Sequence, residues 1–523
     1  MHGTGTPDRH VRANAGSERG TRHGIAERLP VRRTRSTLLR SCVSDPQDPA
    51  SVVIYDTCDR KEQPQEYFGP MGKHTMPMRQ CLDAIFRAGV AAVEPRRAVC
   101  DSLRLDGGTL RVEAHAGVEH NYALDRYAHV HVVGCGKAGA AMAQGAVDVL
   151  GERIGQGVIS TKYGHTGGFA DSRIRVIEAG HPHPDASGLD AARQALALLE
   201  RSGSDGLVVA LISGGGSALW PLPAEGITLK EKLATTDLLL GCGADIVQVN
   251  CVRKHLSAIK GGQAAKAASP SDVIVLVVSD VVGDPLDAIA SGPFHPDPTT
   301  FGQALSVVRE HGVEQRLPRS VRERLEHGVA GGIAETPKEG QECFRGVVHT
   351  ICAGNTHALG AAAAKARELG MEARVLTAEL QGDVSAAADY LMREVRQSVA
   401  KGVRRPVCLL SGGETTVRLG PDHGRGGRNQ QLALEMALRL EGIGRVAALC
   451  CGTDGTDGPT DAAGGVVDGS TVRMAAEHGL DVQRALRSND AYPLLDTLGM
   501  LVRTGPTGTN VMDIQVVVIH PAH

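Results

Sequence analysis

Apolar residues fall at helical spacing from Met78 onward, with Cys81, Ile85, Phe86, Val90 and Val93 on one face up to Pro95. A weaker hairpin-like stretch follows, and then the continuous apolar run His129-Val130-His131-Val132-Val133 reads as a buried strand. It opens into a glycine turn and a helix of small residues through Leu150. The same order of apolar run, glycine turn and amphipathic stretch then repeats. It predicts strands over 157–160, 207–212 and 273–278, and helices over 187–200, 229–241 and 243–259. Residues 320–345 read as a polar connector. A second series predicts strand 346–352, helix 357–369, strand 373–376, helix 384–400 and strand 407–410. A helix marked by Leu432, Leu434, Met436 and Leu438 follows, then strand 446–451 and a closing strand 514–519.

Strands separated by helices of ten or more residues imply largely parallel sheets covered on both faces. The expected fold is α/β: two Rossmann-like doubly wound domains, 76–325 and 326–523, with an active-site cleft between them. Ligands of such sheets bind beyond the carboxyl ends of strands, which is where the glycine turns lie. The first forty residues hold nine Arg, no Lys and three acids without a sustained period, so residues 1–75 read as a disordered extension or an over-called start.

Composition narrows the function classes. Among 523 residues there are 65 Gly but only 3% aromatics, and the net charge is -3. Few stacking surfaces and no large cationic field exclude a nucleic-acid role. Twelve cysteines without a repeated Cys-x-x-Cys read as reduced small hydrophobes, which implies a cytoplasmic protein. No apolar run reaches the roughly 18 to 20 residues that cross a bilayer, so no membrane partner is expected.

The candidate chemistry sits at strand ends. Gly134-Cys135-Gly136-Lys137-Ala138-Gly139 matches the dinucleotide fingerprint in form. That fingerprint needs a ribose-binding acid some twenty residues later, where this chain has Ser160-Thr161-Lys162. What remains is a helix start with free amides and a cation, which suits phosphate or carboxylate. Ser213-Gly214-Gly215-Gly216-Ser217 lacks the Walker spacing but lets backbone amides converge on an oxyanion. Leu409-Leu410 leads into Ser411-Gly412-Gly413-Glu414, which reads as a near-copy of that turn. Gly424-Arg425-Gly426-Gly427-Arg428-Asn429 then delivers Arg428, a planar fork for an anion, to the head of a helix. Arg253 precedes another glycine pair. Asp280 and Asp284 flank a turn, and Asp454, Asp457 and Asp461 crowd one loop. Clustered acids beside anion-binding amides suit a magnesium ion carrying nucleotide phosphates. His181 and His183 are spaced like a metal pair, but no third ligand lies near, so they read as structural or substrate-contact residues.

Taken with Gly180-His181-Pro182-His183-Pro184-Asp185, Arg253-Lys254-His255-Leu256-Ser257, Ser291-Gly292-Pro293 and Thr504-Gly505-Pro506-Thr507-Gly508-Thr509-Asn510, these motifs resemble the glycerate 2-kinase family, whose carboxyl-terminal module is called MOFRL. The resemblance covers residue 78 to the end. It implies ATP- and Mg²⁺-dependent phosphorylation of D-glycerate to 2-phosphoglycerate, with Lys137 and Arg428 as catalytic cations joined by Asp280. Substrate and nucleotide binding is expected of Gly136, the Ser213–Ser217 loop, Arg253, Ser411 to Glu414 and Asn429. Asp284, Asp454 and Asp457 are the expected metal contacts. Members also carry the label hydroxypyruvate reductase, so an NAD(P)H-dependent reductase is the alternative. A homodimer is compatible with the resemblance.

Overall fold

Pro95, expected to close the first helical segment, opens a second helix instead. The computed structural model describes residues 76–522 apart from Ala116, and the reading of 1–75 lies outside them. In it α1 (Met78–Ala92) buries Cys81, Leu82, Ile85 and Phe86. Pro95 then occupies the first turn of α2 (Pro95–Ser102), where a missing N–H costs nothing, and the Glu94 carboxylate accepts the Arg96 and Arg97 amides. The hairpin follows as β1 (Leu103–Asp106), β2 (Thr109–Glu113) and β3 (Glu119–Ala123), a small antiparallel sheet.

The first large sheet is built by β4 (His129–Cys135), α3 (Gly139–Leu150), β5 (Ile154–Lys162), β6 (Ile174–Ala179), α4 (Ala186–Glu200) and β7 (Gly206–Ser213). The short α5 (Gly216–Leu219), α6 (Leu229–Gly241), α7 (Ile246–His255) and α8 (Gln263–Ala268) lead to β8 (Asp272–Val278). Then come α9 (Phe301–Glu310), α10 (Arg319–Val329) and β9 (Val347–Ala353). The six strands run parallel in the order β6-β5-β4-β7-β8-β9. β7 and β8 are continuous Val/Ile/Leu runs buried along their length, as a sheet covered on both faces requires. The order reverses between β4 and β7, which makes a crevice at their carboxyl ends.

Two expectations for this half are corrected. α10 lies in the stretch read as a connector: only Val321, Leu325 and Gly328 are buried among its charged residues, too sparse a stripe to stand out. Gly328 lets the Phe301 ring of α9 close against it. β9, expected to begin the second series, pairs parallel with β8 and completes the first sheet.

The second sheet uses α11 (Asn355–Glu368), β10 (Glu372–Asp383), α12 (Val384–Ala400), β11 (Val407–Thr416), α13 (Arg428–Leu440), β12 (Val446–Gly452), β13 (Gly464–Asp468), β14 (Leu501–Val502) and β15 (Asp513–Ile519). Its order is β10-β11-β15-β12-β13-β14. The parallel pairing expected from the helix spacing holds for β10 and β11, whereas β15 runs antiparallel between β11 and β12. β13 follows β12 through a loop with no crossover helix, and such pairs turn back on themselves.

The halves are joined by more than the chain at 354. α1 packs on α11 and β15 of the second half, while α2 packs on α3 of the first. The crossing is pinned where the Thr509 hydroxyl donates to the Val93 carbonyl at 2.7 Å. One hydrophobic cluster runs from Val132 and Val209 of the first sheet, through α1 and α11, to Leu410 and Val516 of the second. Among the described residues no helix is long and apolar enough to cross a membrane.

A close point where α1 meets the second half is Gly89, where an added Cβ would lie 2.9 Å from the Ala358 carbonyl oxygen and 3.3 Å from Ile514. Gly89→Val is expected to destabilise the protein by about 1–3 kcal/mol through overpacking. Gly360, on the exposed side of α11 with nothing within 4 Å, is the control: Gly360→Ala is expected to be neutral or to stabilise by up to about 1 kcal/mol. Thermal unfolding of the two variants checks the contrast.

Candidate active site

Two adjacent strands end in glycine loops that lock together. The Lys137 amide donates to the Gly214 carbonyl at 2.9 Å, and the Ala138 amide donates to the Ser213 hydroxyl at 3.1 Å. Gly136 has φ 139, and a Cβ there would sit 2.0 Å from the Ser213 hydroxyl. At Gly214 a Cβ would meet the Asp280 carboxylate at 1.9 Å, and at Gly215 the His181 ring at 2.8 Å. The glycines therefore let Lys137, Asp280 and His181 converge on one loop.

Cations crowd this loop. His181 is pushed down to about 4 by burial and by the neighbouring Lys137, Lys162 and His165. Burial likewise lowers His165, with Lys162 adding to it. Burial pushes the Asp280 carboxyl up, and Lys137 pulls it back. Lys162, which stands where a ribose-binding acid would be required, was not singled out as a site residue; its signal was its place at the end of β5. A cavity of about 970 Å³ is lined by Lys137, Lys162, Ser213 and Gly214 from the first half, and by Asp454, Thr456 and Asn510 from the second.

The second half departs from the expected near-copy. Ser411, Gly412 and Gly413 form no turn, because β11 continues straight through them to Thr416 and pairs on both sides. Gly412 makes room for the Asn355 side chain, 1.9 Å from where a Cβ would be, and Gly413 (φ 140) for the Leu380 backbone. The Ser411 hydroxyl donates to Gln515. These glycines permit close packing instead of opening a turn.

Arg428, the first residue of α13, grips the fully buried Asp513 with two hydrogen bonds, Nε to Oδ2 at 2.6 Å and Nη2 to Oδ1 at 3.0 Å. Its third nitrogen lies 2.9 Å from Glu414. Burial opposes the Arg428 charge, and Asp513 with Glu414 more than offsets it. Burial pushes the Asp513 carboxyl up against the pull of Arg428. Asp513 escaped the sequence reading, although a lone acid at the head of the apolar run 514–519 is a usable signal. Lys137 and Arg428 come from different halves and share no ion-pair partner among the described residues.

The three expected metal contacts occupy three environments. Both oxygens of Asp457 accept backbone amides, from Asn429 at 3.0 Å and Gln430 at 2.8 Å, so Asp457 closes the start of α13. Asp454 accepts the Thr456 amide at 3.0 Å and lines the cavity. A Cβ on Gly452 would lie 3.3 Å from Asp454 Oδ1 and 3.6 Å from Asp513 Oδ1, so the partner of Arg428 stands near Asp454, while Arg428 itself does not line the cavity. Asp284 holds left-handed backbone (φ 51) beside Gly354, at the start of α11. Among the described residues no group of three or more His, Cys, Asp or Glu is arranged to hold a metal. The ten described cysteines are free.

Burial raises the Asp457 carboxyl from its ordinary value to about 6. A carboxylate raised on folding stabilises the folded state most when protonated, so its contribution is lost as pH rises from about 4 through about 6. The stability advantage of wild type over Asp457→Asn is therefore expected to be greatest near pH 4 and to shrink by pH 7. Melting temperatures across that range check the sign.

Comparison with known proteins gives this geometry its setting. Residues 81–326 match the family model described as "Domain of unknown function (DUF4147)", and residues 407–513 match the MOFRL family. The chain is 40% identical over 446 residues to "Glycerate 2-kinase" of Pyrococcus horikoshii, covering 85% of this chain and 98% of the relative. It is 40% identical over 436 residues to "D-glycerate 2-kinase" of Thermotoga maritima, covering 82% and 95%. A relative from Agrobacterium vitis, 40% identical over 445 residues with 84% and 94% covered, carries a provisional hydroxypyruvate reductase name. A crystal structure of a Thermotoga maritima glycerate kinase superposes with a TM-score of 0.74 at 38% identity, covering 84% of this chain and 99% of that one. Aligned over more than four fifths of its length with glycerate kinases at 40% identity, the chain belongs to the glycerate kinase family.

Proposed function

We propose that this protein is a glycerate 2-kinase, transferring the terminal phosphoryl group of ATP to the 2-hydroxyl of D-glycerate in the cavity between the two sheets. The observation that carries the reading is the cationic wall of Lys137 and Lys162 around the Ser213 amide loop, with Asp280 held against Gly214. Phosphoryl transfer asks chiefly for positioning and charge neutralisation, which such a wall supplies. Lys137 would neutralise the transferring group, and Asp280, whose carboxyl burial pushes up while Lys137 pulls it back, would accept the proton of the attacking hydroxyl.

Arg428, fixed by Asp513, is not among the residues that line the cavity and would act from behind that lining. Asp454 fits a magnesium ion that travels with the nucleotide: such an ion needs one or two carboxylates beside phosphates and water. Asp457, with both oxygens committed to α13, does not fit that role. We place the first functional half at 95–353 and the second at 354–523 with α1, both acting in the cytoplasm. The reductase alternative lacks the acid its cofactor would need, since β5 ends in Lys162.

ADP release with D-glycerate and ATP·Mg²⁺, run beside NAD(P)H oxidation with hydroxypyruvate, tests the reading; oxidation without ADP release would overturn it. Lys137→Ala and Arg428→Ala are each expected to lower turnover by roughly 10²- to 10⁴-fold while circular dichroism shows the fold retained. Near-normal turnover in both variants would remove these assignments.

A further inference from the structure

A separate cavity of about 500 Å³ lies where the amino-terminal halves of β5 and β6 meet the end of α4. It shares no lining residue with the active-site cavity, although β5 serves both: Lys162 at its carboxyl end lines the one, and Gly155 and Gln156 near its start line the other. Arg175 of β6 and Arg201, which follows the last residue of α4, contribute to this second lining.

The charge of this cavity is one-sided. Arg173 is neutralised by Asp171 through bonds of 2.6 and 3.0 Å. Arg175 has only a neutral partner, the Gln194 side-chain oxygen at 3.1 Å, and the Gln194 amide itself donates to Asp190. Among the described residues the Arg201 side chain makes no hydrogen bond or ion pair. His131 adds a separate observation: it is 7% exposed, and its Nδ1 has no hydrogen-bond partner among the described residues. Gly155, which lines the cavity, stands beside that ring; an added Cβ would lie 4.0 Å from Nδ1, so no side chain of residue 155 covers the nitrogen. Burial lowers His131, and His129 and Arg201 add to it. A buried polar nitrogen ordinarily has a partner, and two guanidinium groups without acids beside such a nitrogen suit an oxyanion.

We propose that Arg175, Arg201 and His131 hold the phosphate of a small phosphomonoester at a second site, outside the active-site cavity. The planar forks of the arginines match phosphate oxygens in pairs, and the neutral imidazole donates from Nδ1. The cavity is larger than a bare phosphate fills. Val158, Ala197 and Leu198 supply an apolar wall, which a short carbon chain carried on the phosphate would cover. The phosphate would lie at the two arginines and the carbon part against Val158 and Leu198.

The test is calorimetric titration of the full chain with glycerol 3-phosphate, inorganic phosphate and malate, in wild type, in Lys137→Ala and in the double variant Arg175→Gln/Arg201→Gln. Glycerol 3-phosphate is expected to bind wild type and Lys137→Ala alike, and the double variant about 10- to 100-fold more weakly. Inorganic phosphate should bind the same site more weakly than the ester, and malate should not compete. Both arginines are on the surface, and circular dichroism with the melting temperature verifies that the double variant is folded. Binding lost in Lys137→Ala and unchanged in the double variant would put the phosphate in the active-site cavity and overturn the proposal. So would malate binding more tightly than the ester, or no binding of the ester by wild type at millimolar concentration.

Discussion

The structure depends on the interlock between the ends of two neighbouring strands, where Lys137 and Ala138 donate their amides into the Ser213 loop. Because β4 and β7 stand side by side at the point where the strand order reverses, their loops face one crevice instead of lying on opposite edges. A buried parallel sheet holds both strands by evenly spaced hydrogen bonds and packing on two faces, so the loop positions inherit its rigidity. Gly136 permits the contact, since any side chain there would occupy the place of the Ser213 hydroxyl. Once the loops are joined, Lys137, His181 and Asp280 have little freedom to separate.

The second half is organised around a different device. Arg428 is held by a bidentate bond to a wholly buried carboxylate, and breaking one partner of such a pair typically costs about 3–5 kcal/mol. Asp457 ties the start of α13 in place from the other side. The guanidinium is thereby a fixed charge, directed by Asp513 and Glu414. A core running from the first sheet to the second, reinforced by the Thr509 to Val93 hydrogen bond, keeps the two walls in register.

Much of this was legible in the chain. Buried strands announce themselves as short Val/Ile/Leu runs, and the glycines after 133 and 213 mark the loops correctly because close approach leaves no other residue type available. The Ser411 segment misleads for the same reason: Gly412 and Gly413 are there to admit Asn355 and Leu380, contacts from distant sequence that no local pattern contains. α2 hides behind Pro95, which ends one helix as readily as it starts another. α10 hides because a helix with one narrow apolar stripe among Arg and Glu looks like a linker. Lys162 becomes a site candidate only when the sheet order brings β5 beside β4, and Asp513 only when β15 sets it against Arg428; β15 was expected in a parallel sheet because pairing direction follows from tertiary assembly.

Product identity tests the central claim most directly. In ³¹P NMR of the protein incubated with ATP, Mg²⁺ and D-glycerate, the account predicts that the resonance of 2-phosphoglycerate grows as the terminal phosphate of ATP disappears. Release of inorganic phosphate alone, or phosphate carried on the 3-hydroxyl, would contradict it.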